Sequence, residues 1–140
     1  MPLLIDLKPG EKVIINGAVL ENAGSNTKLR IHNESNILRQ KEIMTDDEAN
    51  SPAARIYFAL QCAYIFPEKR DHYLGLYLSC LDDYLHAAPS AKEIGGGIHA
   101  AVTEGQYYRA LRLSRKLLKH ECATLDQLQT GFDKGDGAAG

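Results

Sequence analysis

The hydrophobic rhythm of the chain changes near residue 44. Before that point apolar residues alternate over short runs that break every few positions, the period of strands with one buried face. Leu3, Ile5 and Leu7 share a face, and Pro9-Gly10 stops the run. Lys12-Val13-Ile14-Ile15 leads into Asn16-Gly17, a pair that accepts positive φ at both positions, and Ala18-Val19-Leu20-Glu21 returns as the second arm of a hairpin. After the polar loop Asn22-Ala23-Gly24-Ser25-Asn26, the stretch Lys28-Leu29-Arg30-Ile31-His32 alternates cleanly, with Leu29 and Ile31 inward. Beyond Asn33-Glu34-Ser35-Asn36 a last strand starts at Ile37-Leu38-Arg39 and is expected to run towards Ile43. The pattern predicts five short antiparallel strands.

From residue 45 the period lengthens to that of helices. Thr45-Asp46-Asp47-Glu48 fits a capping box, and Ser51-Pro52 is a second start signal, Ser as N-cap and Pro at the first helical position. The helix it opens carries Ile56, Tyr57, Ala59, Leu60, Ala63 and Tyr64 and ends before Pro67. A second helix, about Lys69 to Ala87, has Leu74, Leu78, Leu81 and Leu85 in one stripe and Tyr73, Tyr77 and Tyr84 in the next. Ser90-Ala91-Lys92-Glu93 reads as another capping box, with a helix to about Thr103; Glu104-Gly105 breaks it, and a last helix runs from Gln106 to about Gln127. Gly95-Gly96-Gly97 interrupts the third helix and reads as a close helix–helix approach or a break before it reads as a hinge. The glycine-rich stretch 131–140 reads as a disordered tail.

The fold class expected is therefore α+β: an N-terminal antiparallel β unit of about five short strands over 1–44, then a three- to four-helix bundle over 45–130. All ten aromatics lie between Tyr57 and Phe132, so the β unit has none and should not fold alone without the helices or a second copy. The whole chain, 140 residues with 44% hydrophobic and 24% charged, is long enough to build a core without disulfides or metal.

Charge and cysteine usage narrow the function classes. Sixteen Lys+Arg against eighteen Asp+Glu give a net charge of −2, which argues against a non-specific coat for DNA. No apolar run approaches the ~18–20 residues that span a bilayer, and MPLLIDLKPGEK lacks a basic n-region, so a cytoplasmic protein without membrane contact is expected. Cys62, Cys80 and Cys122 are an odd number without metal spacing and read as reduced, structural thiols. The sequence contains no phosphate-binding glycine loop, no H-E-x-x-H and no G-x-S-x-G, and the five histidines include no i, i+4 pair. Asp82 and Asp83 diverge by ~100° on a helix and are unsuited to share one substrate. An enzyme is not expected, nor a metal, nor a cofactor.

Two basic features remain. On the strands, Lys8, Lys12, Lys28, Arg30, Arg39 and Lys41 are interleaved with five acids, so binding there must be local and geometric. Lacking aromatics, these strands cannot stack bases themselves; arginine planes and backbone groups would have to read a single-stranded loop. On the last helix, Gly105 to Lys119 carries Arg109, Arg112, Arg115, Lys116 and Lys119 and no acid, with Arg109, Arg112, Lys116 and Lys119 in one stripe. A charged stripe is most often a solvated face.

The segments MPLLIDLKPGEKVIINGAVLENAG, LRIHNESNILRQKEIM and SPAARIYFALQCAYIFPE, with the G-x-Y-Y-x-A-L-x-L-x-R-K-L run from Gly105 to Leu117, resemble the flagellum biosynthesis repressor FlbT family. The likeness extends from Pro2 to about Glu121. It implies a cytosolic post-transcriptional regulator of flagellin that acts on the 5′ untranslated leader of flagellin mRNA and favours its degradation. A weaker likeness of Leu7, Gly10, Glu11, Arg30-Ile31 and Leu38-Arg39-Gln40-Lys41-Glu42-Ile43 to carbon-storage-regulator (CsrA-type) repressors implies RNA binding by a strand-swapped β dimer. This chain has Gln40 where that family carries its RNA-contacting arginine, with Arg39 one place earlier and hence on the opposite face of a strand.

On this reading the β unit holds flagellin mRNA through Lys8, Lys28, Arg30, Arg39 and Lys41. The alternative is a protein-interaction adaptor or chaperone-like module, binding flagellin or another flagellar protein through its helices, with Arg109, Arg112, Lys116 and Lys119 as contacts. A homo-oligomer is compatible with either.

Overall fold

A computed structural model describes the backbone of residues 3–139 and the side chains of residues 3–124. The chain opens with β1 (Leu3–Leu7), β2 (Lys12–Ile15), β3 (Ala18–Glu21), β4 (Thr27–Ile31) and β5 (Ile37–Arg39). Four helices follow: α1 (Pro52–Ile65), α2 (Arg70–Ala87), α3 (Lys92–Thr103) and α4 (Tyr107–Ala139). The expected α+β class, strands first and helices after, is the architecture found. The assignment of α4 extends past Gln127; the tail expected over 131–140 lies outside the residues whose side chains are described.

The strands form two sheets. β1 and β4 make a ribbon in register Leu3↔Ile31 to Leu7↔Thr27, while β2 is the centre of a three-stranded sheet ordered β3-β2-β5. The reason lies in β2, where the neighbours Val13 and Ile14 point to opposite faces and are both buried. Such a strand needs cover on two sides. Val13 packs with Ile5 and Leu7 of the ribbon, bordered by Ile15, Leu29, Ile31 and Ile37. Ile14 joins Leu38 of β5 in the core formed with residues of all four helices, among them Ile56, Leu60, Tyr77, Ile98 and Leu117. The three layers are therefore ribbon, sheet and helices. The hairpin at Asn16-Gly17 has the positive φ values, 50° and 87°, that its sequence predicts.

Several local expectations are corrected. β5 does not run towards Ile43: it stops at Arg39, and Gln40–Glu42 forms a 3-10 turn closed by the Glu42 carboxylate, which accepts the Arg39 N–H at 3.0 Å. Thr45 and Glu48 do close a turn, with the Thr45 N–H donating to Glu48 Oε1 at 3.0 Å, and Ser51 does cap α1 by accepting from Ala54 N at 3.2 Å. Ser90, however, does not cap α3. Its hydroxyl lies 2.8 Å from His120 Nε2, while Tyr84 takes His120 Nδ1 at 2.9 Å, so the histidine ties α2 and the start of α3 to α4. On α2 it is Tyr77, Leu81 and Tyr84 that face the core. Leu74 and Leu85 sit at its border and Leu78 is exposed. The tyrosines can be buried because their hydroxyls reach partners, Tyr84 at His120 and Tyr77 at His99.

The three glycines of α3 divide by function. A Cβ on Gly95 would lie 2.7 Å from Leu85 Cδ1, whereas Cβ atoms on Gly96 and Gly97 would meet nothing within 4 Å. Close approach of α2 to α3 thus explains Gly95 alone, and α3 is continuous through all three. Gly96→Ala should stabilise the fold by up to about 1 kcal/mol through helix propensity. Gly95→Ala makes the same gain in helix propensity but must push the Leu85 side chain aside, so it is expected to be less stable than Gly96→Ala by about 1 kcal/mol or more. Urea unfolding midpoints of the two variants check this order.

Candidate nucleic-acid interface

The last strand and the turn after it are gripped from α1 by side chains at positions i, i+4 and i+7. Tyr64 accepts the Ile37 N–H on its hydroxyl at 3.0 Å and an Asn36 amide on its carbonyl at 3.0 Å. Gln61, buried, pairs with both main-chain groups of Met44: its Oε1 accepts the N–H at 2.8 Å and its Nε2 donates to the carbonyl at 2.9 Å. Tyr57 donates its hydroxyl to the Glu42 carbonyl at 2.7 Å. From the other side α4 contributes Tyr108, whose hydroxyl donates to Glu42 Oε2 at 2.5 Å, and Arg115, which reaches the Lys41 carbonyl at 3.5 Å. Residues 36–44 are thus held between α1 and α4.

Glu42 is the pivot. Its side chain is on a residue only 8% exposed, which a carboxylate tolerates because both oxygens accept hydrogen bonds, and several cations share the cleft beside it. That cleft, of about 420 Å³, lies between the β unit and α4. Leu3, Ser35 and Ile37 form its strand side; Arg39, Lys41 and Glu42 its turn; Tyr64, Tyr108, Arg112 and Arg115 its helical side. A second depression of about 350 Å³ shares Lys41, Glu42 and Arg115 and continues to Tyr57 and Lys119. Arg39, Lys41, Arg112, Arg115 and Lys119 are therefore gathered along one groove, opposed by Glu42 and Glu48. Tyr64 and Tyr108 lie beside them with ring centroids 5.4 Å apart, tilted 41°, and Tyr108 is 36% exposed.

Such a groove can hold an anion beside flat rings. Guanidinium groups meet phosphates in a planar fork, aromatic rings offer stacking faces, and low-dielectric walls focus the field of the cations. Burial, together with the hydrogen bond to Glu42, pushes the Tyr108 hydroxyl up to about 12, so it is a neutral donor throughout the physiological range.

Tyr77 is likewise pushed up to about 12, by burial. A phenol held protonated in the fold contributes stability that is complete below its ordinary value of 10.0 and is lost as pH rises to about 12. Urea midpoints are expected to hold steady below about pH 9, where the Cys62 thiol, pushed up by burial to about 11, begins to contribute, and to fall more steeply above pH 10. Tyr77→Phe should flatten that fall, and an unchanged slope in this variant would refute the assignment.

The structure brings together two sets of residues that the sequence presents as separate features. Arg39 and Lys41 of the strand set face Arg112 of the helix set across the cleft, and Lys119 joins them in the adjoining depression. The others disperse. Lys8 and Lys28 border a different hollow with Asn26 and Thr27, where Lys28 lies 3.9 Å from Asp6. Arg30 pairs in register with Leu4 and is outside the cleft lining. Arg109 is hydrogen-bonded to Gln106 and lines a hollow with Arg70 and Tyr107, and Lys116 is exposed outside the groove. Arg115, Tyr64 and Tyr108 are the groove residues that sequence reasoning did not single out as site residues. Arg115 was legible only as one more positive charge, off the main stripe. The two tyrosines supply aromatic rings that the strands lack, from helices distant in sequence.

Fold and groove together define a class: an α+β protein with a groove, where its β unit meets its last helix, lined by Arg39, Lys41, Arg112, Arg115 and Lys119. The chain belongs to the FlbT family, since the family profile described as Flagellar protein FlbT matches residues 3–125. A probable flagellum biosynthesis repressor protein FlbT of Caulobacter vibrioides (strain NA1000 / CB15N) is 33% identical over 140 residues, 99% of each chain. A second protein of that description, from Bradyrhizobium diazoefficiens, is 36% identical over 137 residues, 97% of this chain and 93% of its own. Another, from Rhodopseudomonas palustris (strain TIE-1), is 36% identical over 124 residues, 86% of this chain and 95% of its own. These names place the family among regulators of flagellar synthesis. No solved structure matches the chain. Among the described residues, no helix is long and apolar enough to cross a membrane.

Proposed function

We propose that this protein is a post-transcriptional regulator of flagellin synthesis that binds the 5′ untranslated leader of flagellin mRNA in the groove between β5 and α4. Bound there, it promotes degradation of the message or blocks its translation, in the cytoplasm and without cofactor. The observation that carries the reading is the convergence of Arg39, Lys41, Arg112 and Arg115 around the Tyr64–Tyr108 pair. Four cations on a strand end and a helix fit the phosphates of a single strand, and the rings fit its unstacked bases. The regulatory names of the relatives are consistent with it.

The test is fluorescence anisotropy with a labelled flagellin leader and a scrambled RNA of equal length, over a range of salt. The leader is expected to bind more tightly, with a log–log salt slope of about −3, from four phosphate contacts at about −0.7 each. Equal affinity for the two RNAs, or no salt dependence, defeats the proposal. The adaptor reading has its own support in Leu76 and Leu78, two large apolar side chains exposed on α2. It predicts that purified flagellin is retained by the protein while leader RNA is not.

A further inference from the structure

We propose that the outer edge of β3 is a self-association surface, through which two copies of this chain join their three-stranded sheets into one of six strands. β3 pairs with β2 alone among the described strands. In the hairpin, Ile15 faces Ala18 and Val13 faces Leu20 as the pairs that exchange both main-chain bonds. The N–H and C=O groups of Val19 and Glu21 therefore point away from the sheet. The strand is exposed along its whole length, and its two large apolar side chains, Val19 at 64% and Leu20 at 42%, are open to water.

Two of the other sheet edges, β5 and β4, carry devices that edge strands use against pairing. On β5 the outward N–H groups of Ile37 and Arg39 are taken by the Tyr64 hydroxyl and the Glu42 carboxylate. β1 borders the hollows beside β5, and its Leu7 carbonyl is taken by the Asn22 amide at 2.9 Å. β4 carries Lys28 and Arg30, which a second copy laid antiparallel about Leu29 would set against each other. Among the described residues no side chain takes an outward main-chain group of β3, and its one charge, Glu21, lies at the strand's end.

The occupant is a second copy because the edge is complementary to itself. Two antiparallel registers satisfy the outward groups. One sets Val19 on Val19 and Leu20 on Ala18; the other sets Leu20 on Leu20 and Val19 on Glu21. Neither opposes like charges, and Glu21 already has Lys12 at 3.9 Å. A foreign strand would draw its specificity from pockets beside the edge, and no β3 residue lines the clefts described above. The contact is isologous, with the two nucleic-acid grooves on the far, β5 side of each sheet. Only four residues per strand take part, so the interface is smaller than the standard ~1,200–2,000 Å² and the dimer dissociates in the micromolar range or above.

The experiment is sedimentation velocity on the full chain over a wide concentration series. The mass is expected to rise from 15.4 kDa towards twice that value. Val19→Lys and Leu20→Lys should stay monomeric at the highest concentration with unchanged thermal melts, while Arg30→Ala behaves as wild type. In a Cys122→Ser background, either Val19→Cys or Leu20→Cys should form a disulfide-linked dimer on mild oxidation, reporting the register. A wild-type mass of 15.4 kDa throughout, equal association by both lysine variants, or cross-linking by neither cysteine variant overturns the proposal. Leader affinity measured at nanomolar protein is a separate readout and does not depend on this edge.

Discussion

Arg112→Glu is expected to weaken binding of a flagellin leader by about 100-fold or more. Losing a charge-assisted contact to phosphate costs about 1.5–3 kcal/mol, and each 1.4 kcal/mol is tenfold in affinity. The introduced carboxylate adds repulsion, both towards the RNA and towards Glu42 across the same cleft. Arg39→Glu and Arg115→Glu should fall in the same range, because all three guanidinium groups line that one cleft. Arg30→Glu and Lys116→Glu, on residues outside it, should cost only a few-fold through the general field. Each cleft variant should also lower the salt slope by about 0.7. Anisotropy titrations with far-ultraviolet circular dichroism as a folding control check the ranking. Full leader affinity in the three cleft variants, with loss in Arg30→Glu, Lys8→Glu or Lys28→Glu, moves the site to the outer ribbon. Loss of flagellin capture in Arg112→Glu or Lys116→Glu, with RNA binding untouched, favours the adaptor.

The second large effect is on stability. Gln61→Leu is nearly isosteric, yet it is expected to destabilise the protein by about 2–4 kcal/mol, because it strands both main-chain groups of Met44. A fully buried unpaired group costs about 1–3 kcal/mol; at half-buried Met44 each costs less than the full penalty, partly recovered through the apolar burial of leucine. Chemical unfolding monitored by tyrosine fluorescence measures this. The variant should also lose leader affinity beyond the unfolded fraction, since Gln61 helps to fix the segment that carries Arg39 and Lys41. A stability change under about 0.5 kcal/mol would show that the Met44 pairing is dispensable.

Groove and clamp differ in how far they could be read from the chain. Every strand and every helix was legible as a local pattern: alternation in β1 and β4, Asn16-Gly17 at the hairpin tip, Ser51-Pro52 at the start of α1, Glu104-Gly105 between α3 and α4. These signals act over a few residues, within the reach of backbone sterics and one turn of hydrogen bonds. The positive charges were legible too, but only as two separate sets.

What local pattern could not decide was which faces meet. The double burial of Val13 and Ile14 splits the strands into a ribbon and a sheet, a consequence of covering β2 on both sides. The end of β5 is set by a carboxylate that satisfies Tyr108, 66 residues away. Ser90 looked like a helix cap and instead serves His120, because a hydroxyl goes to whichever partner the packing brings within reach. Of the leucine stripe of α2 only Leu81 took a core position, beside Tyr77 and Tyr84, whose hydroxyls find partners on α3 and α4. The sequence by itself thus determined the elements, their order and the inventory of cations. The tertiary structure alone decided that Arg39 and Lys41 face Arg112 and Arg115 across a pair of tyrosines, since that juxtaposition depends on long-range packing of α1 and α4 against one strand end and leaves no periodic trace along the chain.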